Sequence, residues 1–443
     1  MSSKITPISG FPEWTPAERI VELEFLDQIR RTFELHGFAS IDTRAVEPLD
    51  TLLSKGETSK EVYLLRRLQA TETDGDDDQL GLHFDLTVPF ARYVLENAGK
   101  LSFPFRRYQI QKVWRGERPQ RGRYREFFQA DIDIVDRDTL PAHYESEIPL
   151  VLGDVFASLP LPKATIQVNN RKLLEGFYRG LGIDDPMQTM RVVDKLDRIG
   201  PAGVVAELAE SGVSEAQAKA CLALSEISAA DGSFADEVAK LGVGDPMLDE
   251  GLAELLAVVE TAGAYRPGLC RAELRIARGL DYYTGTVYET RLEGFERYGS
   301  VASGGRYDNL ASSGTDRFPG IGISIGLSRL LGVLFDEGYF TVSRSVPTAV
   351  LVALTAEEDR AAARQTAARL RARGISVEVS PSAAKFGKQI RYAERRGIPY
   401  VWFSGTDGDS VKDIRSGDQV AADAEQWLPP ASDLRPTVSR PIG

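Results

Sequence analysis

The stretch FPFRRYQIQKVWRGERPQRGRYREFF, residues 103–128, constrains the fold more than any other part of the chain. Apolar and polar residues alternate on both sides of a Pro–Gly loop, so the flanks read as two antiparallel strands joined by a hairpin. The stretch carries eight cations (Arg106, Arg107, Lys112, Arg115, Arg118, Arg121, Arg123, Arg125) and two anions (Glu117, Glu126), a local net charge of +6. Guanidinium forks bind phosphate through two-point contacts, and the interleaved Trp114, Tyr124 and Phe127 offer faces on which a purine can stack. A solvated basic hairpin is the plain alternative. Arg115 weighs against it, because a cation at the end of an apolar strand is costly without an anionic partner.

Such a segment contrasts with the whole chain, whose 443 residues have a formal net charge of −12. The deficit is local. Residues 185–265 hold fifteen Asp or Glu against five Lys or Arg, so this region alone accounts for −10 and the rest is near neutral. The acidity excludes a protein that coats phosphate over its whole surface, but it leaves room for a basic groove. Two cysteines give no disulfide framework, and three histidines give no zinc-ligand spacing and little prospect of histidine acid–base catalysis. The beginning, MSSKITPISGFPEWTPAE, has no apolar signal segment, and Ser324, Ser328 and Arg329 interrupt the best apolar run, residues 321–335. A cytoplasmic protein is expected.

The length suggests two to four domains. Ile20, Leu23, Leu26, Ile29 and Phe33 recur at helical spacing, so residues 16–36 read as an amphipathic helix starting after Thr15. Residues 70–79 (ATETDGDDDQ) read as an exposed acidic hairpin loop, and residues 80–135 as antiparallel sheet with strand-like QLGLHFDL, RRYQIQKVW and FFQADIDIV. Residues 185–265 read as a helical insertion, and 270–335 return to Gly-rich strands that end in an apolar helix. After a linker at 338–347 comes strand (348–354), helix (356–373), strand (375–379), helix (386–396), strand (400–403), the alternation of an α/β domain. The tail from Leu428 is Pro-rich and reads as extended or loose.

Three further motifs carry possible chemistry. RGLDYYTGTVYE (278–289) sets two tyrosines before a strand-like run; on a strand, adjacent tyrosines would point to opposite faces. SGGRYDNL (303–310) and GIGISIGLSR (320–329) are Gly-rich ahead of arginines, yet neither is a P-loop or a dinucleotide fingerprint. Singly, each reads as readily as turn or packing glycine.

Together, in this order, with FDLT at 84–87 upstream and an α/β unit at the end, they resemble the histidyl-tRNA synthetases, class II aminoacyl-tRNA synthetases. The resemblance runs from VEPLDTLLSKGETSKEVYLLRR (46–67) to FGKQIRYAERRGIPYV (386–401). RGERPQRGRYREF is similar to motif 2, GIGISIGLSRL to motif 3, and RGLDYY and GGRYD to the two histidine-specific motifs. The fold this implies is an α+β catalytic domain on an antiparallel sheet (1–184 and 266–337), a helical insertion (185–265) and a C-terminal α/β anticodon-binding domain with its Pro-rich tail (338–443).

The implied activity is that of a histidine–tRNA ligase, with ATP and Mg²⁺ as joint substrate and no dedicated protein metal site. The resemblance gives Arg115 and Arg278 the catalytic place at the ATP α-phosphate and the histidine carboxylate. It gives Glu117 the adenine amino group, Phe127 the adenine ring, Arg123 the γ-phosphate, and Arg329 the opposite side of the nucleotide. Asp85, Thr87 and Gln129 would hold the histidine α-amino group, Asp133 and Tyr283 would address the imidazole, and Tyr282 and Tyr307 would wall the pocket. Arg118, Gln120 and Arg125 would read the tRNA acceptor end, and Lys385, Lys388, Arg391 and Arg395 would face the anticodon. A carboxylate facing an imidazole N–H discriminates well, since an apolar isostere would leave Asp133 buried and unpaired. The insertion is accordingly expected to be structural or tRNA-embracing rather than an editing site.

The departures are small. IDTRAVEP places Arg44 near the proline usual in motif 1, FDLT stands where many bacterial relatives have PEGT or PEMT, and Ser303 replaces a usual glycine. A homodimer without membrane attachment is expected. The competing reading is a catalytically silent paralogue serving as regulatory subunit of ATP phosphoribosyltransferase; retention of the terminal domain, the motif 2 loop and Arg278 speaks against it.

Overall fold

The computed structural model describes residues 6–53, 61–68, 79–276, 282–405 and 408–440. They form two compact units, Met1–Pro12 with Leu26–Val333, and Glu13–Phe25 with Leu334–Gly443. The sequence begins with α1 (Pro16–Leu35), whose start is fixed where Thr15 donates from its N and Oγ1 to Glu18 Oε2 at 2.7 and 2.8 Å. Then come β1 (Ala39–Ser40), β2 (Val46–Pro48), α2 (Leu49–Leu53), β3 (Tyr63–Leu65), β4 (Leu80–Leu82) and α3 (Thr87–Asn97). The hairpin strands β5 (Phe105–Trp114) and β6 (Glu126–Val135) precede α4 (His143–Ser158), β7 (Ala164–Asn170) and α5 (Arg171–Gly180). Next are α6 (Pro186–Val193), α7 (Leu196–Glu210), α8 (Glu215–Ser225), β8 (Ser228–Ala229), α9 (Phe234–Lys240) and α10 (Pro246–Tyr265). β9 (Cys270–Glu273), β10 (Thr286–Leu292), β11 (Ala302–Ser313), β12 (Asp316–Gly326) and α11 (Leu327–Asp336) follow.

Among the described residues, nine strands of the first unit form one sheet in the order β1-β5-β6-β12-β11-β10-β7-β9-β8. Its centre is antiparallel, as the alternation in the sequence requires, and only the β1–β5 and β7–β9 pairs are parallel. On β6 the side chains alternate cleanly: Ala130, Ile132 and Ile134 are fully buried on one face, while Gln129, Asp131 and Asp133 share the other. QLGLHFDL departs from a continuous strand. β4 ends at Leu82, and Asp85 Oδ1 accepts from Val88 N at 3.1 Å, so a polar cap opens α3 where a strand would have continued. β3 and β4 pair antiparallel; the acidic loop read at 70–79 lies, apart from Gln79, outside the described residues.

The helical text of 185–265 forms α6 to α10, opened by Asp185, Ser214 (a full capping box) and Asp245. Its last helix, α10, lies directly on α5. A Cβ on Gly176 would stand 2.1 Å from Leu248 N, and one on Gly251 would stand 2.2 Å from Leu173 N, so glycine is what lets the two backbones meet.

The second unit holds β13 (Thr341–Val342), β14 (Val350–Val352), α12 (Arg360–Ala372), β15 (Val377–Val379), α13 (Phe386–Arg396), β16 (Tyr400–Phe403), β17 (Ser410–Asp413), β18 (Gln419–Ala421), α14 (Ala431–Leu434) and β19 (Val438–Ser439). β14 pairs in parallel with β15 and β16, and β17 and β18 extend the sheet antiparallel, with Val350, Val352 and Trp402 in the core. The tail is not loose. β19 pairs with β13, and the Asp433 carboxylate accepts from Tyr400 Oη at 2.6 Å and from Arg415 at 2.7 and 2.9 Å. The Pro-rich composition hid this anchoring because its partners lie far away in sequence.

Candidate active site

At the mouth of the β5–β6 hairpin, Arg115 leaves β5 and donates from Nε to Phe84 O at 2.9 Å, with its guanidinium 5.2 Å from the centre of the Phe127 ring. The loop is closed by a Gln120–Arg123 bridge and by Gly122, whose φ of +69° favours glycine; a Cβ there would also stand 2.9 Å from Val333. Arg123 lies 3.6 Å from Glu117. From the other side, Arg329 near the start of α11 donates to Tyr298 O, while its buried Nε has no hydrogen-bond partner among the described residues. Burial, then the neighbouring Arg123, lowers the Arg329 guanidinium below its ordinary range. These side chains line a cavity of about 270 Å³ with Gln129, Ser303 and Ser324. Three guanidiniums converging on one void with a single carboxylate make an anion-binding site with an aromatic wall.

A larger cleft of about 530 Å³ shares Arg115, Arg123 and Arg329 and extends to Arg198, Arg275 and Arg291. It draws its far wall from α6 and α7, the region read as an insertion.

A second, narrower pocket opens from the first through Ser303 and Ser324, which line both. Its floor is the polar face of β6. Asp133 lies beside Arg107 at 2.5 Å and accepts from Tyr307 Oη at 2.7 Å. Arg107 is fully buried, stacked 4.3 Å over Phe90. Gln129 donates to Ser324 Oγ at 2.5 Å. Asp85 Oδ2, Asp131 Oδ1 and Gln129 Oε1 are buried with no hydrogen-bond partner among the described residues. Burial pushes the carboxyls of Asp85 and Asp133 up to about 6 and that of Asp131 up to about 7. Such acceptors, closed off from water, are suited to a ligand with several N–H donors and positive charge.

The glycines of GIGISIG acquire a reason here. A Cβ on Gly322 would fall 2.0 Å from Asp133 Oδ1, and one on Gly320 would fall 2.4 Å from the Tyr307 ring. The tyrosine pair differs from the sequence expectation. β10 starts only at Thr286, so Tyr282 and Tyr283 lie in the preceding turn with rings 4.9 Å apart, and both pack in the cluster that holds Tyr307. The turn is held from outside the pocket: Arg306 donates to Glu145 at 2.9 Å and to Asp308 at 3.0 Å, and Thr284 donates to Asp308 at 2.5 Å.

Of the residues singled out in the sequence, Arg115, Glu117, Arg123, Phe127, Gln129 and Arg329 line the first cavity, and Thr87, Asp133, Tyr283 and Tyr307 line the second, with Asp85 and Tyr282 in its buried surroundings. Arg278 lies outside the described residues. Arg118 and Gln120 are exposed on the loop, and Arg125 turns back to donate to Glu117 O at 3.1 Å; none of the three lines the cavity. Lys385 precedes α13, and Lys388, Arg391 and Arg395 lie on it; all four are exposed in the second unit. Sequence reasoning missed Arg107, Asp131 and Ser324. The signal was present for two of them, since charged residues inside an otherwise apolar strand share the face of Gln129 and Asp133.

A histidyl-tRNA synthetase family model matches residues 10–330, and an anticodon-binding-domain model matches residues 348–426. The chain is 57% identical to the histidine–tRNA ligase of Cutibacterium acnes over 98% of its own length and 99% of that protein. It resembles the crystal structure of histidyl-tRNA synthetase from Nostoc sp. PCC 7120 at TM-score 0.85 and 33% identity, covering 95% of this chain and 97% of that one. An ATP phosphoribosyltransferase regulatory subunit/histidyl-tRNA synthetase from Bacillus halodurans C shares the fold at TM-score 0.70 and 18% identity, covering 88% and 97%.

Proposed function

The chain belongs to the histidyl-tRNA synthetase family, and from that premise we propose that it activates histidine with ATP and then transfers the histidyl group to the 3′ end of its cognate tRNA. The observation that carries this reading is the junction of the two pockets: an arginine-lined cavity with an aromatic wall opens into a buried acidic pocket through Ser303 and Ser324. A histidine lying across that junction presents its carboxylate to the arginines and its nitrogen donors to the acids. The carboxylate oxygen attacks the α-phosphorus, the bond to the β-phosphate oxygen breaks, and pyrophosphate leaves as histidyl-adenylate forms.

Arg115 and Arg278 take the developing charge at the α-phosphate, where fixed cations are most effective. Phe127 stacks the adenine, Glu117 accepts from its amino group, and Arg123 and Arg329 hold the distal phosphates and the nucleotide's outer side. Asp85, Thr87 and Gln129 bind the α-ammonium, Asp133 and Tyr283 meet the imidazole, and Tyr282 and Tyr307 shape the walls. Arg118, Gln120 and Arg125 contact the acceptor end, and Lys385, Lys388, Arg391 and Arg395 the anticodon region. Mg²⁺ enters as part of the ATP substrate.

We assign the catalytic core to 1–184 and 266–337, the insertion to 185–265 and the anticodon-binding domain to 338–443. The working form is a cytoplasmic homodimer; among the described residues no helix is long and apolar enough to cross a membrane. The terminal domain and the complete arginine set favour this activity over the regulatory alternative. Histidine-dependent ATP–pyrophosphate exchange followed by tRNA charging tests it. Absence of exchange together with tight binding to an ATP phosphoribosyltransferase would reverse the choice.

A further inference from the structure

The carboxylates of β6 are not equivalent. Asp133 has a protein partner at each oxygen, Tyr307 Oη at Oδ1 and Arg107 at Oδ2. Asp131 sits two residues away on the same face, paired in register with Gln109 of β5 and Ser324 of β12. Ser324 supplies it a hydrogen bond, yet Asp131 Oδ1 remains buried and without a partner among the described residues. Both aspartates line the narrow pocket, with Thr87, Tyr283 and Tyr307 around them. An isolated acceptor in that position lacks one donor, and the missing donor belongs to whatever enters.

We propose that Asp131 is a second ring-binding carboxylate, and that the pocket holds the imidazole of histidine with both nitrogens protonated, one N–H donated to Asp131 and the other to Asp133. This rests on the histidine-activating function proposed above and goes beyond it in fixing the protonation state of the bound substrate, with Tyr283 meeting the ring itself rather than one of its nitrogens.

Geometry supports the assignment. Alternate residues on a strand are roughly 7 Å apart. Two hydrogen bonds of about 2.8 Å leaving opposite sides of a five-membered ring span a similar distance. A neutral imidazole has only one N–H, so it would satisfy one carboxylate and turn a lone pair toward the other.

Charge points the same way. The groups around Asp131 are Arg107 from β5, Asp85 from the turn before α3, Asp133 on β6 itself, Tyr283 from the turn before β10, and Tyr307 from β11; β12 adds only the Ser324 hydroxyl. Asp85 also faces Arg115, the guanidinium that the bound substrate's carboxylate takes up, so in the complex three carboxylates are left to Arg107 alone. The substrate's α-ammonium offsets one excess charge, and a protonated ring offsets the other. A neutral ring would leave a buried carboxylate uncompensated. Burial raises Asp131 to about 7 and Asp133 to about 6, so a proton moves between pocket, ring and water near neutrality.

The test uses the intact protein and histidine labelled with ¹⁵N in the ring. At pH 8, where the free ring is largely neutral because its pKa lies near 6.5, the bound ring is expected to show the two nitrogen shifts of an imidazolium. Calorimetry in buffers of different ionisation heat should give uptake of about one proton per histidine bound at pH 8, falling toward pH 6. Asp131→Asn should raise the histidine KM in exchange by about 10- to 100-fold, leave the ATP KM unchanged and remove the uptake. The unchanged ATP KM reports that the variant is folded. A neutral ring tautomer in the wild-type complex overturns the proposal, as does an Asp131→Asn variant with unaltered histidine KM. Lack of any histidine-dependent exchange in the wild type would overturn the function itself.

Discussion

In the second unit the buried carboxylate of Asp433 accepts from Tyr400 and twice from Arg415, and these bonds hold it below the ordinary carboxylate range. In the first unit Asp85 and Asp131 are buried more deeply, 3% and 2% exposed against 8%, yet each keeps an oxygen with no partner among the described residues, and burial pushes both upward. The first arrangement is complete and anchors the tail to its own sheet. The second is incomplete. A protein that leaves polar atoms unpaired in its interior forgoes stability there, and the natural recipient of that deficit is a ligand that brings the missing donors. The contrast separates charges that hold the fold from charges that wait for substrate.

The largest effects come from removing one charge from each side. Arg115→Ala should lower histidine-dependent exchange by about 10²–10³-fold, the usual cost of losing one charge stabiliser, while thermal unfolding changes little. A variant that unfolds readily but keeps normal exchange would place Arg115 among the structural charges instead.

Asp433→Ala should do the reverse. It leaves Tyr400 Oη without its acceptor and Arg415 with Asp413 alone, so stability should fall by about 1–3 kcal/mol, and the tail should become sensitive to protease, while exchange persists. Loss of exchange with unchanged melting would collapse the distinction.

Titration sharpens it further, because the two sites should respond to pH with opposite sign. A carboxyl whose folded pKa is raised binds more protons folded than unfolded, so its burial costs nothing in acid and weakens the fold as pH rises from about 4 to about 7. Asp131→Asn should therefore be more stable than the wild type at pH 8, by an amount of order 1 kcal/mol or more, and no more stable at pH 4. Asp433 and Asp413 are held low, so their contribution is present above about pH 4 and disappears as pH falls through the depressed values. Equal pH slopes for Asp131→Asn and wild type would show that folding leaves the Asp131 carboxyl at its ordinary value.

The smallest effect belongs to α13. Lys388→Ala should weaken tRNA charging only a few-fold and reduce its salt dependence by about one counterion, with exchange untouched. A change in exchange would argue against a separate anticodon-binding role.

How much was legible beforehand follows from particular residues. The hairpin of β5 and β6, the helix at α11 and the α/β alternation of the second unit are patterns of neighbours along the chain, and local alternation specifies them. Arg115, Phe127 and Gln129 could be named because they flank a turn with a distinctive spacing. Arg107 and Asp131 stood out as charges inside apolar strands, but that pattern alone did not give their role. Their meaning depends on Tyr307 and Ser324, which stand 200 and 193 residues away in the chain.

The sequence by itself determined the sheet's alternation, the basic hairpin and the family, since periodicity, charge and motif order are properties of the chain alone. Only the tertiary structure decided which aspartate is paired and which is left open, why Gly322 must lack a side chain, and that the Pro-rich tail is bound through Asp433. These outcomes rest on burial and on partners brought together by folding, and desolvation is what turns an ordinary carboxylate into either an anchor or a receptor.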